Sequence, residues 1–242
     1  MFAGPNGSGK STLKSVLPPE LLGVYLNSDE IEQDIRRRGS LDVTSYGLTV
    51  EASEALGFFS SSTFLISAGF GDAARQIGFA NNRLDFAKSG VNSYLASVTT
   101  DFLRRNLLKR RISFTFETVM SHQSKVDFLA EAREARYRTY LYFIATDDVA
   151  INISRVRNRV KQGGHTVPED KIAGRYKRSL DLLMDAIRHT NRAYVFDNSS
   201  DNADKKHTWL AEITDGQVLE LKSDRVPAWF KRAVLDKIRS PA

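Results

Sequence analysis

The stretch that most constrains this chain is Gly4-Pro5-Asn6-Gly7-Ser8-Gly9-Lys10-Ser11, a complete G-x-x-x-x-G-K-[ST] phosphate loop. Each residue type in it has a physical reason. Glycines let successive backbone N–H groups curl around an anion in conformations a side chain would forbid. A helix starting near Lys10 and Ser11 points its positive end at the same anion. Lys10 reaches the β/γ-phosphates and the Ser11 hydroxyl can ligate Mg²⁺. By residue frequency alone, such a pattern recurs by accident in roughly one chain in a hundred of this length. The context strengthens the reading. Phe2-Ala3 lead into the loop, and Thr12 to Leu17 read as a helix that Pro18-Pro19 stop. Such a loop fixes a strand before it and a helix after it. Here only Met1-Phe2-Ala3 precede Gly4, so a stub strand, weakly anchoring the loop, or an internal chain start is expected.

Further strand and helix signals alternate along the chain. Gly23 to Ser28 read as a short buried strand entering a helix through about Arg38, capped by Ser28 or Asp29. Val91 to Arg111 has helical spacing, with Leu95, Val98, Phe102, Leu103 and Leu107 inward. Ile112 to Glu117 read as a strand, followed by a helix that Ser121 or Ser124 caps, and Tyr137 to Ala145 are the strongest strand signal. A helix capped by Asp147-Asp148 runs to about Val160, and Gly163-Gly164-His165-Thr166-Val167-Pro168 break it. Glu169 to Thr190 read as one long helix and Arg192 to Asp197 as another strand, then a polar loop from Asn198 to Asn202. The tail, about 207–242, predicts a hairpin turning at Asp215-Gly216 and a helix opened by Pro227. The expected fold is therefore α/β, P-loop kinase-like: a mainly parallel sheet flanked by helices with right-handed crossovers. A single domain spans 1–242, with about 40–90 as a partly helical insertion or cap.

Composition narrows the setting. Zero cysteines exclude a disulfide framework, thiol catalysis and Cys-ligated zinc, and the four histidines show no metal-ligand spacing. No basic-then-apolar leader and no apolar run of spanning length is present, so a cytoplasmic protein without membrane contact is expected. A formal net charge of +6 suits anionic partners, and its sign does not choose among ATP, nucleotide-sugars and nucleic acid.

Phosphoryl transfer needs a phosphate cradle, Mg²⁺, a group on the attacking hydroxyl and cations on the transferring phosphoryl. Asp29, at the carboxyl end of a strand, can accept the hydroxyl proton, and helix capping explains it about equally well. Glu117-Thr118 end the third strand, where an acid can hold a Mg²⁺-bound water or grip substrate. Arg155, Arg157, Arg159 and Lys161 before the glycine pair, with Arg175, Lys177 and Arg178 after it, have the form of two basic helices hinged as a lid. Two solvated basic faces would have the same composition. The four-residue spacing makes Arg155 and Arg159 a better pair than Arg157, and His165 reads as a loop residue rather than a base.

With these residues in view the chain resembles the zeta-toxin family of P-loop kinases, in its Gly-Gly-His-x-Val-Pro subgroup. The resemblance rests on Phe2 to Leu13, Asn27-Ser28-Asp29-Glu30-Ile31, Ser113 to Thr118, Arg155 to Pro168, Arg175-Tyr176, Ser179-Leu180 and Asp197-Asn198-Ser199. It implies a kinase using ATP or GTP with Mg²⁺ on a hydroxyl of a small molecule, in the family's toxins a sugar hydroxyl of UDP-N-acetylglucosamine, and an antitoxin protein as partner. Carried over residue by residue, it implies nucleotide binding by Gly4, Pro5, Asn6, Gly7, Ser8, Gly9, Lys10, Ser11 and Thr12, with Asn198 near the base. It further implies Ser11 on the metal, and Asp29 as base together with Lys10, Arg159 and Arg175 in catalysis. Glu117, Thr118 and Arg155 join Asp29 on the substrate. Gly174 stands where the family often has the first of two arginines, and the stretch 40–90 is longer than the family's. Two other readings stay open: a nucleic-acid end kinase, from the basic segment Arg104 to Arg111, and a nucleotide-binding regulator without catalysis. Nucleic acid is the less expected partner.

Overall fold

The computed structural model describes residues 1–15, 17–164, 166–200 and 207–239. His165, Asp201-Asn202 and Val16, which the sequence reading put in a loop, a polar loop and the first helix, lie outside the described residues. The chain forms two compact units, one of Met1–Pro18 with Glu117–Ala242 and one of Pro19–Phe116.

In chain order, β1 (Phe2–Ala3) and α1 (Lys10–Lys14) flank the glycine-rich loop, and β2 (Val24–Leu26) leads into α2 (Ser28–Arg38). Then come β3 (Ser40–Asp42), α3 (Ala52–Ser60), α4 (Thr63–Ser67), α5 (Gly71–Arg75), β4 (Gly78–Ala80), β5 (Arg83–Asp85) and α6 (Ser93–Lys109). After β6 (Phe114–Thr118) follow α7 (Ser124–Glu134), β7 (Tyr140–Ala145), α8 (Val149–Lys161), α9 (Glu169–Asp181), α10 (Leu183–Arg188) and β8 (Arg192–Asp197). The tail holds β9 (Thr208–Thr214), β10 (Val218–Leu221), α11 (Ala228–Phe230), a π-turn over Lys231–Leu235 and α12 (Asp236–Arg239).

In the first unit, β1 lies between two parallel neighbours: Phe2 and Ala3 pair with Glu117 and Thr118 on one side and with Tyr142 and Phe143 on the other. β8 adds parallel to β7, and β9 and β10 complete the sheet antiparallel. The stub is thus an interior strand of the unit's sheet, paired on both sides. Its side chains are fully buried, Phe2 at 1 % and Ala3 at 0 % exposure. Burying one phenylalanine stabilises by about 2–3 kcal/mol, which offsets what two residues of backbone pairing lack. The hairpin β9–β10 turns through Asp215, Gly216 and Gln217, with Asp215 and Gly216 at positive φ (49° and 69°) and the Gln217 amide donating to the Thr214 carbonyl at 3.1 Å. The expected long helix after Pro168 is two helices meeting at Leu182.

The second unit has its own core. β2 pairs parallel with Phe114–Phe116 of β6, α2 packs on α6, and β3, β5 and β4 form a separate antiparallel sheet. All five inward positions expected on α6 are buried. Phe58, Phe59, Phe86 and Phe102 meet at ring-centroid distances of 5.4–6.4 Å, so residues of the 40–90 stretch fill the core under α6. Helix α2 is capped by Asn27, whose Oδ1 accepts from the amides of Asp29 (2.9 Å) and Glu30 (3.4 Å), and not by Ser28 or Asp29. Asparagine one residue earlier wins because its side chain reaches those amides without entering the helix. Neither Ser121 nor Ser124 caps α7, where Gln123 holds the cap position in helical geometry. Asp148 caps α8 as expected, accepting from the Ala150 amide at 2.8 Å.

Candidate active site

The loop's shape comes from sorting the two ends of its peptide dipoles. The carbonyls of Gly4 and Pro5 accept from the Lys10 ammonium at 2.9 and 3.0 Å. The Asn6 carbonyl accepts from Asn152 Nδ2 at 2.6 Å, the Ser8 carbonyl from Asn198 Nδ2 at 2.8 Å, and the Gly9 carbonyl from Thr12 Oγ1 at 2.7 Å. With the negative ends engaged by the scaffold, the loop presents its positive N–H ends to a ligand. Two glycines are dictated by close approach. A Cβ on Gly4 would stand 2.0 Å from the Ile144 carbonyl oxygen, and one on Gly9 2.3 Å from Asn198 Nδ2, each residue also being at positive φ. Ser8 Oγ and Asn6 Oδ1 are buried inside this loop with no hydrogen-bond partner among the described residues.

A polar chain braces the loop from outside. Asn152 of α8 is fully buried, its Oδ1 taking the Thr146 hydroxyl while its Nδ2 holds Asn6. The Thr146 carbonyl in turn accepts from Tyr176 of α9 at 2.7 Å. Burial, aided by the nearby Asp147 charge, pushes the Tyr176 phenol up to about 12. Asn152 escaped the sequence reading. The signal available for it was a polar residue four positions before the inward Val156, on the buried face of α8.

The other expected site residues fall as follows. Glu117 and Thr118, both half-buried, are in register with Phe2 and Ala3, immediately before Gly4. The Thr118 hydroxyl accepts from the Met120 amide at 3.0 Å. Ser11 is exposed at the start of α1, and its hydroxyl has no hydrogen-bond partner among the described residues. Arg155 reaches the carbonyls of Asn198 (2.7 Å) and Ser200 (3.3 Å), which ties α8 to the loop after β8. Arg157 pairs with Glu169 across the Gly163-Gly164 break at 2.6 Å. Arg159 is exposed, and its carbonyl accepts from the Gly164 amide at 3.0 Å. Arg175 is half-buried on α9 with no ion pair or hydrogen bond among the described residues, which suits a cation kept for an anionic ligand. Asp29 belongs to the second unit. Because Asn27 does the capping, the exposed Asp29 carboxylate accepts no hydrogen bond from the described residues. Ser28 Oγ and Thr100 Oγ1, 2.9 Å apart, join that turn to α6.

Loop, mainly parallel sheet and flanking helices define a P-loop kinase-like α/β fold. The fold is similar to that of chains in crystal structures of the AvrRxo1-ORF1:AvrRxo1-ORF2 complex. With sulphate ions the TM-score is 0.54 at 14 % identity, covering 99 % of this chain and 63 % of that one. With ATP it is 0.52 at 14 % identity and the same coverage, and the native complex gives 0.54 at 13 % identity, covering 96 % and 62 %. An uncharacterised protein of Haemophilus influenzae is 35 % identical over 69 residues, 28 % of this chain and 49 % of that protein. The chain thus spans about half of that curated relative and less than two thirds of the solved chains. No family model matches it. Among the described residues no helix is long and apolar enough to cross a membrane.

Proposed function

We propose that the protein is a kinase that transfers the γ-phosphoryl of ATP or GTP to a hydroxyl of a small molecule, with a nucleotide-sugar such as UDP-N-acetylglucosamine as acceptor. The observation that carries this reading is the loop in which the carbonyls of Gly4, Pro5, Asn6, Ser8 and Gly9 are tied back. The residues fit Mg²⁺-nucleotide: Gly4 and Gly9 let the loop backbone pack directly against the Ile144 carbonyl and the Asn198 amide, and two buried polar atoms of the loop have no partner among the described residues. Mg²⁺ would neutralise phosphate charge and be held by Ser11. Lys10 would leave the Gly4 and Pro5 carbonyls for the β/γ-phosphates, and Arg159 and Arg175 would stabilise charge on the transferring group. Asp29 would take the proton of the acceptor hydroxyl, with Glu117, Thr118 and Arg155 orienting the acceptor and Asn198 beside the nucleotide. The resemblance to zeta toxins, and a similar fold crystallised with ATP and with a second protein, support a cytoplasmic toxin-like kinase with a neutralising protein partner.

The test is a mass-spectrometric transfer assay with Mg²⁺-ATP and UDP-N-acetylglucosamine, run in parallel with a metabolite extract, with Lys10→Ala as control. Wild type should yield a phosphorylated nucleotide-sugar, and Lys10→Ala should lower the rate by about three orders of magnitude. A Lys10-dependent product in the extract alone would keep the kinase and replace the acceptor. ATP bound with no product anywhere would leave a nucleotide-binding regulator.

A further inference from the structure

Asp197 ends β8 and is 2 % exposed, a buried carboxylate that the phosphate chemistry above does not use. Burying a charge is costly unless it is paired and hydrogen-bonded, and this one is both. Its Oδ1 accepts from Trp229 Nε1 at 2.9 Å and from the Ser199 hydroxyl at 2.7 Å, and its Oδ2 from the Ser199 amide at 3.3 Å. The Arg225 guanidinium lies 3.5 Å from the same Oδ2. Trp229, itself fully buried, packs on Phe143 of β7 at 6.2 Å and is the middle residue of α11. Three partners from the C-terminal segment and the turn after β8 therefore fix one carboxylate.

The neighbouring residue is Asn198, whose amide side chain holds the Ser8 carbonyl of the loop from 190 residues away. Its backbone N–H is bound to the Ala145 carbonyl at 2.8 Å and its carbonyl to Arg155 at 2.7 Å. Ser199 closes the turn, accepting from the Asp147 amide at 2.7 Å while it donates to Asp197. With both flanking residues fixed, the direction of the Asn198 side chain depends on where Trp229 and Arg225 hold Asp197.

We propose that Trp229 and Arg225, through Asp197 and Asn198, are positioning residues for the phosphate loop, so that the segment Arg225–Phe230 sets nucleotide affinity. Coupling of this kind is reciprocal: nucleotide in the loop stabilises the segment by the factor by which the segment strengthens nucleotide binding. The affinity statement rests on the kinase reading above, and the statement about loop order does not.

The experiment compares wild type with Trp229→Phe, which keeps the ring and deletes the indole N–H, with Arg225→Gln and with Arg225→Lys. Amide hydrogen exchange is followed at Ser8 to Thr12 without nucleotide, and Mg²⁺-ATP and Mg²⁺-GTP are titrated in parallel. Trp229→Phe should speed loop exchange and weaken nucleotide binding, each about three- to tenfold, while exchange in α6 is unchanged. Arg225→Gln should do the same more weakly, and Arg225→Lys should restore it. In turnover the loss should fall on KM for nucleotide, with kcat within about twofold of wild type. Loop exchange at wild-type rates in both Trp229→Phe and Arg225→Gln would overturn the proposal. If Trp229→Phe does not fold, the half-exposed Arg225 decides alone. Wild-type protein that binds neither nucleotide would remove the kinase reading, and the exchange rates would still judge the loop.

Discussion

The phosphate loop and the Asp29 turn are held in opposite ways. Lys10 and Thr12 hold the loop carbonyls of Gly4, Pro5 and Gly9 locally, but those of Asn6 and Ser8 are tied by amides 146 and 190 residues away, on Asn152 and Asn198. The Asp29 turn is fixed by its own sequence: Asn27 caps the helix two residues ahead of the carboxylate. A cradle made of backbone must have its carbonyls turned aside by something, and where neighbouring side chains do not reach, remote ones do. A single side chain proposed to act on a proton needs only a rigid stalk, and one capped helix turn supplies that.

The comparison breaks most visibly at the chemistry. Asp29→Asn should lower transfer by roughly two to four orders of magnitude with nucleotide binding unchanged, read by single-turnover rates beside titration. Full rate in that variant would strip Asp29 of its role and leave the turn merely structural. Next in size is Asn152→Ala, which takes the partner of the Asn6 carbonyl and one of the two acceptors of the Thr146 hydroxyl in a buried place. It should cost about 2–3 kcal/mol in urea unfolding and weaken nucleotide binding as well. Asn27→Ala should cost about 1 kcal/mol and leave nucleotide affinity alone, since the cap it removes is local. If the two asparagines behaved alike in both measurements, the contrast between remote and local support would be wrong.

The smallest effect concerns the outer brace. Tyr176 has its phenol raised by burial to about 12, from an ordinary value near 10. A raised pKa contributes stability that is complete below pH 10 and is lost as pH climbs to 12. Tyr176→Phe should therefore cost about 1 kcal/mol at neutral pH and make the alkaline fall in stability shallower. Tyr46 and Tyr142, raised likewise by burial, keep part of that fall, so the measurement is the difference in slope between variant and wild type. An unchanged slope would place the titration elsewhere.

Legibility follows the same division. The loop, the strand-to-helix passage at Asn27 to Ile31 and the inward face of α6 could be read because each is written within a few neighbouring residues. Asn152 and Asn198 could not be read as loop supports, since their partners lie more than a hundred positions away. The core of the second unit was hidden for a related reason. Helices α3, α4 and α5 are too short to show a period, and Phe58 and Phe59 meet Phe102 only in the folded unit. The division of α9 from α10 has no glycine or proline to mark it, Leu182 being an ordinary helix former.

The stub strand also imposes an order of events during synthesis. Its first hydrogen bond, from the Met1 nitrogen to the Tyr140 carbonyl, joins residues 139 apart. At about 5–20 residues per second, a ribosome needs on the order of ten seconds to make the neighbours between which β1 inserts. Until then Met1, Phe2 and the whole phosphate loop stay outside the sheet. The loop is translated well before its neighbours in the sheet and is finished late, since β1 has no second partner until β7 has left the exit tunnel.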